Sequence, residues 1–176
     1  MRRRSFLIVS LLGLWACAGS AARPAPTPTP AAPSSAREPP LRFSLQALDG
    51  SVVTGENTRG RVTALLFVAS YDLASQLAAR RLNDAIARHV PRFNAVAIAL
   101  ESSENAVLVD VFRSTLNLGY PVAMAGAVEF GESEALATIE RVPTLILLDR
   151  DGRPVFRHTG AFEAHELESW LRRAEA

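Results

Sequence analysis

Residues Val62 to Ala69 form a nearly continuous apolar run. A strand with one wet face alternates; an unbroken run is read as a strand buried on both faces. Such a strand sits inside a sheet covered on each side, which parallel strands and their crossover helices provide. The flanking pattern agrees. Leu73 to His89 has helical periodicity, with Ala78, Leu82, Ala85, Ile86 and His89 on one face and Arg80, Asp84 and Arg88 opposite. Phe93 to Leu100 is a second buried strand. Glu104 to Leu118 reads as a helix with Val107, Leu108, Val111, Phe112 and Leu116 inward. Tyr120 to Met124 is a short strand and Glu132 to Ile139 a short helix. Thr144 to Leu148 is a strand that turns at Asp149 to Gly152 and pairs with Pro154 to His158. Glu163 to Arg173 closes the chain as a helix, with Leu167, Trp170 and Leu171 inward. Ahead of all this, Leu41 to Leu48 alternates, Asp49-Gly50 signals a turn, and Ser51 to Thr54 returns. The order ββ, βαβα, β, α, ββα predicts an α/β fold: a three-layer sandwich with an N-terminal β-hairpin, a central mixed sheet and flanking helices.

The first forty residues are of another kind. Arg2, Arg3 and Arg4 precede an apolar run from Phe6 to Trp15, too short for a resident membrane span. Residues 1–16 read as a signal peptide. Leu14-Trp15-Ala16-Cys17 resembles the lipobox of bacterial lipoproteins, which implies a lipid thioether on Cys17 and a mature chain beginning there; an ordinary secretory signal with a chance cysteine is the other reading. Arg3-Arg4-Ser5-Phe6-Leu7 also resembles a twin-arginine signal. Seven of the eleven prolines lie between Ala21 and Pro40. Proline fixes φ and lacks an amide donor, so residues 17–40 are expected to form an extended linker, reaching on the order of 60 Å. The folded part is 41–176. The expected location is the bacterial cell envelope, lipid-anchored and facing the periplasm or the outside, with the membrane as one partner through Cys17.

Charge and cysteine usage remove several functions. The formal net charge is +1, and all 19 basic residues are arginine. Without residues 1–16 there are 16 arginines against 18 acids, about −2. No nucleic-acid partner is expected. A catalytic lysine is impossible. Cys17 is the only cysteine, so neither a disulfide framework nor a cysteine-rich zinc site can form. The three histidines, His89, His158 and His165, lack ligand spacing, so neither a metal nor any other cofactor is implied.

Four motifs together resemble one family. Phe43 to Gly50 followed by Val53 is similar to the opening of the redoxins, the TlpA-like and peroxiredoxin-like thioredoxin-fold proteins. Gly60-Arg61-Val62 with Leu65-Leu66-Phe67 resembles their entry into the central strand. Val142-Pro143-Thr144 resembles the thioredoxin cis-proline loop, and Leu147 to Val155 the hairpin that follows. The resemblance covers residues 41–173 and implies a thioredoxin-like fold and a thiol–disulfide oxidoreductase or peroxidase activity. The same segment departs where that activity resides. The two positions of the family's C-x-x-C are Asp72 and Ser75 here, and no peroxidatic cysteine is present. Disulfide exchange needs a thiolate attacking sulfur. A serine hydroxyl is far too basic and forms no stable disulfide; a carboxylate forms none.

The reading that follows is a tethered, redox-inactive thioredoxin-like module that binds a protein or peptide or holds a complex together, with no catalytic residue. The oxidoreductase or peroxidase implied by the family is the alternative. The expected groove is Tyr71, Asp72, Leu73, Val142, Pro143 and Thr144. There, the proline loop offers backbone hydrogen bonds to an extended peptide. Asp72 also suits a helix cap and nothing more, with Ser70 competing for that role. Leu73 and Leu77 fall off the helix's inward face. They form either an apolar patch beside Asp72 or a second buried helix face, and core packing is the expectation. Arg141 is a contact for an acidic ligand or simply a solvated arginine.

Overall fold

The computed structural model describes residues 38–176 except 90 and 132–138. Three of the expected strands carry the core: β3 (Val62–Val68), β4 (Phe93–Ala99) and β6 (Thr144–Leu148). Every residue of β3 and β6 is buried, as the unbroken apolar runs require. With β1 (Phe43–Ala47), β2 (Val52–Thr54), β5 (Val122–Phe130) and β7 (Pro154–Thr159) they form one mixed sheet in the order β2-β1-β5-β4-β3-β6-β7. β3 runs parallel to β4, with Leu65 opposite Val96, and antiparallel to β6, with Phe67 opposite Thr144.

The pleat splits the interior into two cores. Val62, Ala64, Leu66 and Val68 face one side, against α1 (Leu73–His89), α2 (Ala106–Thr115) and α3 (Ala164–Glu175). Leu65 and Phe67 face the other, with Leu41, Phe43 and Leu45. All three described helices therefore feed the same face. The helix expected over 132–139 lies outside the described residues, apart from Ile139, which packs on the second core.

Two expectations are corrected. On α2 only Val109 and Phe112 are buried, while Val107, Leu108 and Val111 are exposed. Six of its ten residues are apolar, so the pattern does not single out a face; the packing does. A 3-10 turn at Ser103–Asn105 leads into the helix. Asn117, at φ 49°, follows its last turn in the left-handed region that ends many helices. The strand expected to stop at Met124 continues to Phe130, through a register shift that pairs Leu45 with Val128 but Ala47 with Ala123. Ala125 to Ala127 lack the alternation that marks a strand, and pairing to β1 extends it.

α1 and α3 are joined by charge. Glu168 accepts from Arg88 Nη2 at 2.7 Å and lies 2.7 Å from His89 Nε2. Arg81 bonds the Phe162 carbonyl and the Glu163 carboxylate. Partial burial pushes Glu168 up, but the bonds from Arg88 and His89 outweigh it and hold the carboxyl below the usual 4.5. A lowered carboxyl stabilises the fold above the unfolded-state value and ceases to do so as pH falls through the folded one. Glu168→Gln is expected to cost about 1 kcal/mol at pH 7. Urea midpoints taken from pH 7 down to 3 check this: the gap between the two proteins should close below about pH 4.5.

Candidate functional site

The site is the turn between β3 and α1. Asp72 is the residue before the helix, and its Oδ2 accepts from the Ser75 backbone N–H at 2.8 Å, the bond expected of an N-cap. The same oxygen accepts from Ser75 Oγ at 2.7 Å. Ser75 Oγ in turn accepts from the Ala69 N–H at 3.2 Å. The Ser75 side chain is fully buried and engaged on both sides. Ser70 does not compete for the cap. Its N–H and hydroxyl donate to Glu101 at 2.6 and 3.2 Å, and its carbonyl accepts from Gln76 Nε2 at 2.9 Å. Asn105 adds a bond to Glu101 at 3.4 Å. The turn is thus fastened at both shoulders, to the end of β4 and to α1.

The proline loop enters the same end of the sheet, because Thr144 pairs with Phe67 near the end of β3. The Val142–Pro143 peptide bond is cis. The Pro143 carbonyl accepts from Gly160 N–H at 2.8 Å. Thr144 is fully buried and donates to the Arg141 carbonyl at 2.7 Å, with Thr159 Oγ1 at 3.2 Å. The residues predicted for the groove therefore separate. Tyr71 and Leu73 are 79% and 77% exposed, Asp72 and Val142 are half-buried, and Pro143 and Thr144 lie beneath the surface. Arg141 is exposed.

Core packing of Leu73 and Leu77 is not what the structure shows. Leu77 is 42% exposed, and with Tyr71 and Leu73 it forms part of an apolar shoulder. A groove of about 320 Å³ runs from Tyr71 and Gln76 to Leu108 and Val111 of α2. Sequence reasoning missed Glu101, Gln76 and this face of α2. Glu101 was open to discovery, since it directly follows β4 at the carboxyl end of a parallel strand, where α/β sites gather.

The histidines stay apart from this turn. His89 contacts Glu168 and Phe93, and His158 stacks on Trp170 at 4.7 Å. Among the described residues no group of three or more His, Cys, Asp and Glu could hold a metal ion.

The sequence matches no family model and no curated protein. Solved structures do match. A Chlorobium tepidum candidate for the thiol:disulfide interchange protein DsbE is 25% identical, with TM-score 0.64 over 78% of this chain and 95% of that one. A thioredoxin-family thiol:disulfide interchange protein from Chlorobium tepidum TLS gives 18%, 0.66, 78% and 96%. The chain is thioredoxin-like. A secreted Mycobacterium tuberculosis disulfide oxidoreductase homologous to Escherichia coli DsbE gives 19%, 0.59, 75% and 96%. The thioredoxin-like domain thus has the architecture of disulfide oxidoreductases, while the turn between β3 and α1 carries a carboxylate and a buried hydroxyl. Cys17 and the linker lie outside the described residues, and no described helix is long and apolar enough to cross a membrane.

Proposed function

We propose that this thioredoxin-like protein is an exported, lipid-anchored module that makes protein contacts at the Tyr71 end of its sheet and exchanges no disulfides itself. The observation that carries the reading is the closed bond set of Ala69, Asp72 and Ser75. A disulfide carrier needs one accessible thiolate at the helix start and a second thiol to resolve it. Here the first position is a capping carboxylate and the second a sealed hydroxyl. The exposed Tyr71 and Leu73 beside them are suited to recognition.

The alternative, a thiol–disulfide oxidoreductase or peroxidase, has more direct support from the structural neighbours, which are thiol:disulfide interchange proteins, than scaffolding has. It would have to work with Cys17 alone, ahead of a proline-rich stretch. Insulin reduction and peroxide consumption by the purified protein decide between the two. Both are expected at the no-enzyme background, and reductant-dependent turnover would establish the alternative. Export and anchoring are supported by the basic and apolar start of the chain and by the lipobox-like residues before Cys17. Mass spectrometry of the envelope-extracted protein should find Cys17 acylated and residues 1–16 removed.

A further inference from the structure

Eight large apolar residues are exposed among the described ones, and six of them are on α1, on α2 or in the turn before α1. Tyr71, Leu108 and Val111 line one groove. Gln76 lines it too; on α1, Leu73 is one turn before Gln76 and Leu77 one turn after Leu73. Val107 is one turn before Val111 on α2. At ordinary side-chain areas these six expose on the order of 700 Å², above the roughly 300–600 Å² of the largest patch on a typical monomer. Some contact is therefore expected to cover them.

We infer that the cover is a second copy of this chain, related by a twofold axis across the α1–α2 shoulder. Area is the first reason. Two such patches remove about 1,400 Å² from water, within the range of a standard stable interface near 1,600 Å². Shape is the second. A twofold contact uses one patch twice, so the patch must complement itself. This one does: Leu73, 77% exposed, stands beside a groove of about 320 Å³ walled by Leu108 and Val111. The twofold places each Leu73 in the other copy's groove. A lipid surface suits the patch less well. Arg113 of α2 already donates two bonds to Asp110, which leaves Arg80, exposed on α1 one turn after Leu77, as the cation of these two helices beside the patch, against the roughly four to eight that hold a segment to anionic lipid. The inference rests on the binding reading only in taking this end of the domain as a contact surface. It names the first occupant as the chain itself.

Cysteine crosslinking of the full chain in its own membrane tests this. Leu108→Cys places a thiol near the axis; Val155→Cys on β7 and the parent, with Cys17 alone, are the controls. A short bismaleimide should give a species of twice the chain mass for Leu108→Cys and not for the controls. Adding Leu73→Glu should lower that yield about tenfold, because it drives a carboxylate into the partner's apolar groove. Leu73 is exposed, so the monomer fold is unaffected; its circular dichroism should match the parent. Three results would overturn the inference: a Leu108→Cys chain that stays monomeric, a yield indifferent to Leu73→Glu, or an adduct with a different protein. The last would leave the binding reading standing and remove only the self-association.

Discussion

The double variant Asp72→Cys/Ser75→Cys is expected to reduce insulin, on the order of tenfold or more above the parent protein's background. The scaffold for that chemistry is already in place. Residue 72 caps α1, where the unpaired amides and the dipole stabilise an anion, and a thiolate gains from that position as the carboxylate does. Residue 75 is three places on, within the reach of neighbouring residues on one helix face. Closing a disulfide needs the two β-carbons about 3.5–4.5 Å apart. Ser75 is buried, so a cysteine there is shielded from solvent and serves as the resolving thiol. Loss of the Asp72 cap costs the variant about 1 kcal/mol. Its midpoint in urea should fall slightly in the reduced form and recover in the oxidised form. A well-folded double variant whose two thiols never pair would show that the turn between β3 and α1 has lost more than its sulfur.

Leu66→Ala should be among the most damaging single truncations, at about 2–5 kcal/mol. Leu66 is fully buried at the centre of the sheet, paired with Ala97 of β4 and Leu145 of β6, and belongs to the core shared by all three helices. Its neighbours on the pairing strands are anchored from both sides and cannot collapse into the space. Such a loss is a large part of the 5–15 kcal/mol that ordinarily holds a domain together. Urea unfolding followed by far-ultraviolet circular dichroism measures it. A drop below about 1 kcal/mol would mean that the helices on that face repack around the cavity.

Leu41 N–H donates to the Gly152 carbonyl, at the turn after β6. The cis-proline loop lies at the start of β6, and the turn between β3 and α1 is at the same end. The chain thus enters the domain at the sheet end opposite Tyr71.

Sequence alone was sufficient for whatever depends on runs and turns. The apolar stretches at 62–69, 93–100 and 144–148 read as interior strands, since so nearly continuous a row of side chains leaves little place for water. Asp49-Gly50 and Asp149 to Gly152 fixed two hairpins, with Gly50 and Gly152 at φ 83° and 81°. The single cysteine limits the chemistry without reference to structure, because one thiol cannot form a disulfide within its own chain whatever the geometry. Only the tertiary structure decided which side of a richly apolar helix is wet. Val107, Leu108 and Val111 have the same composition as a core stripe, and their exposure follows from how the turn at 103–105 and the sheet orient α2. The seal on Ser75 also needed three dimensions: its partners Ala69 and Asp72 are close in sequence, but Glu101, which pins the adjoining Ser70, is thirty-one residues away. Periodicity reports that a face exists, whereas burial is a property of what the rest of the chain places against it.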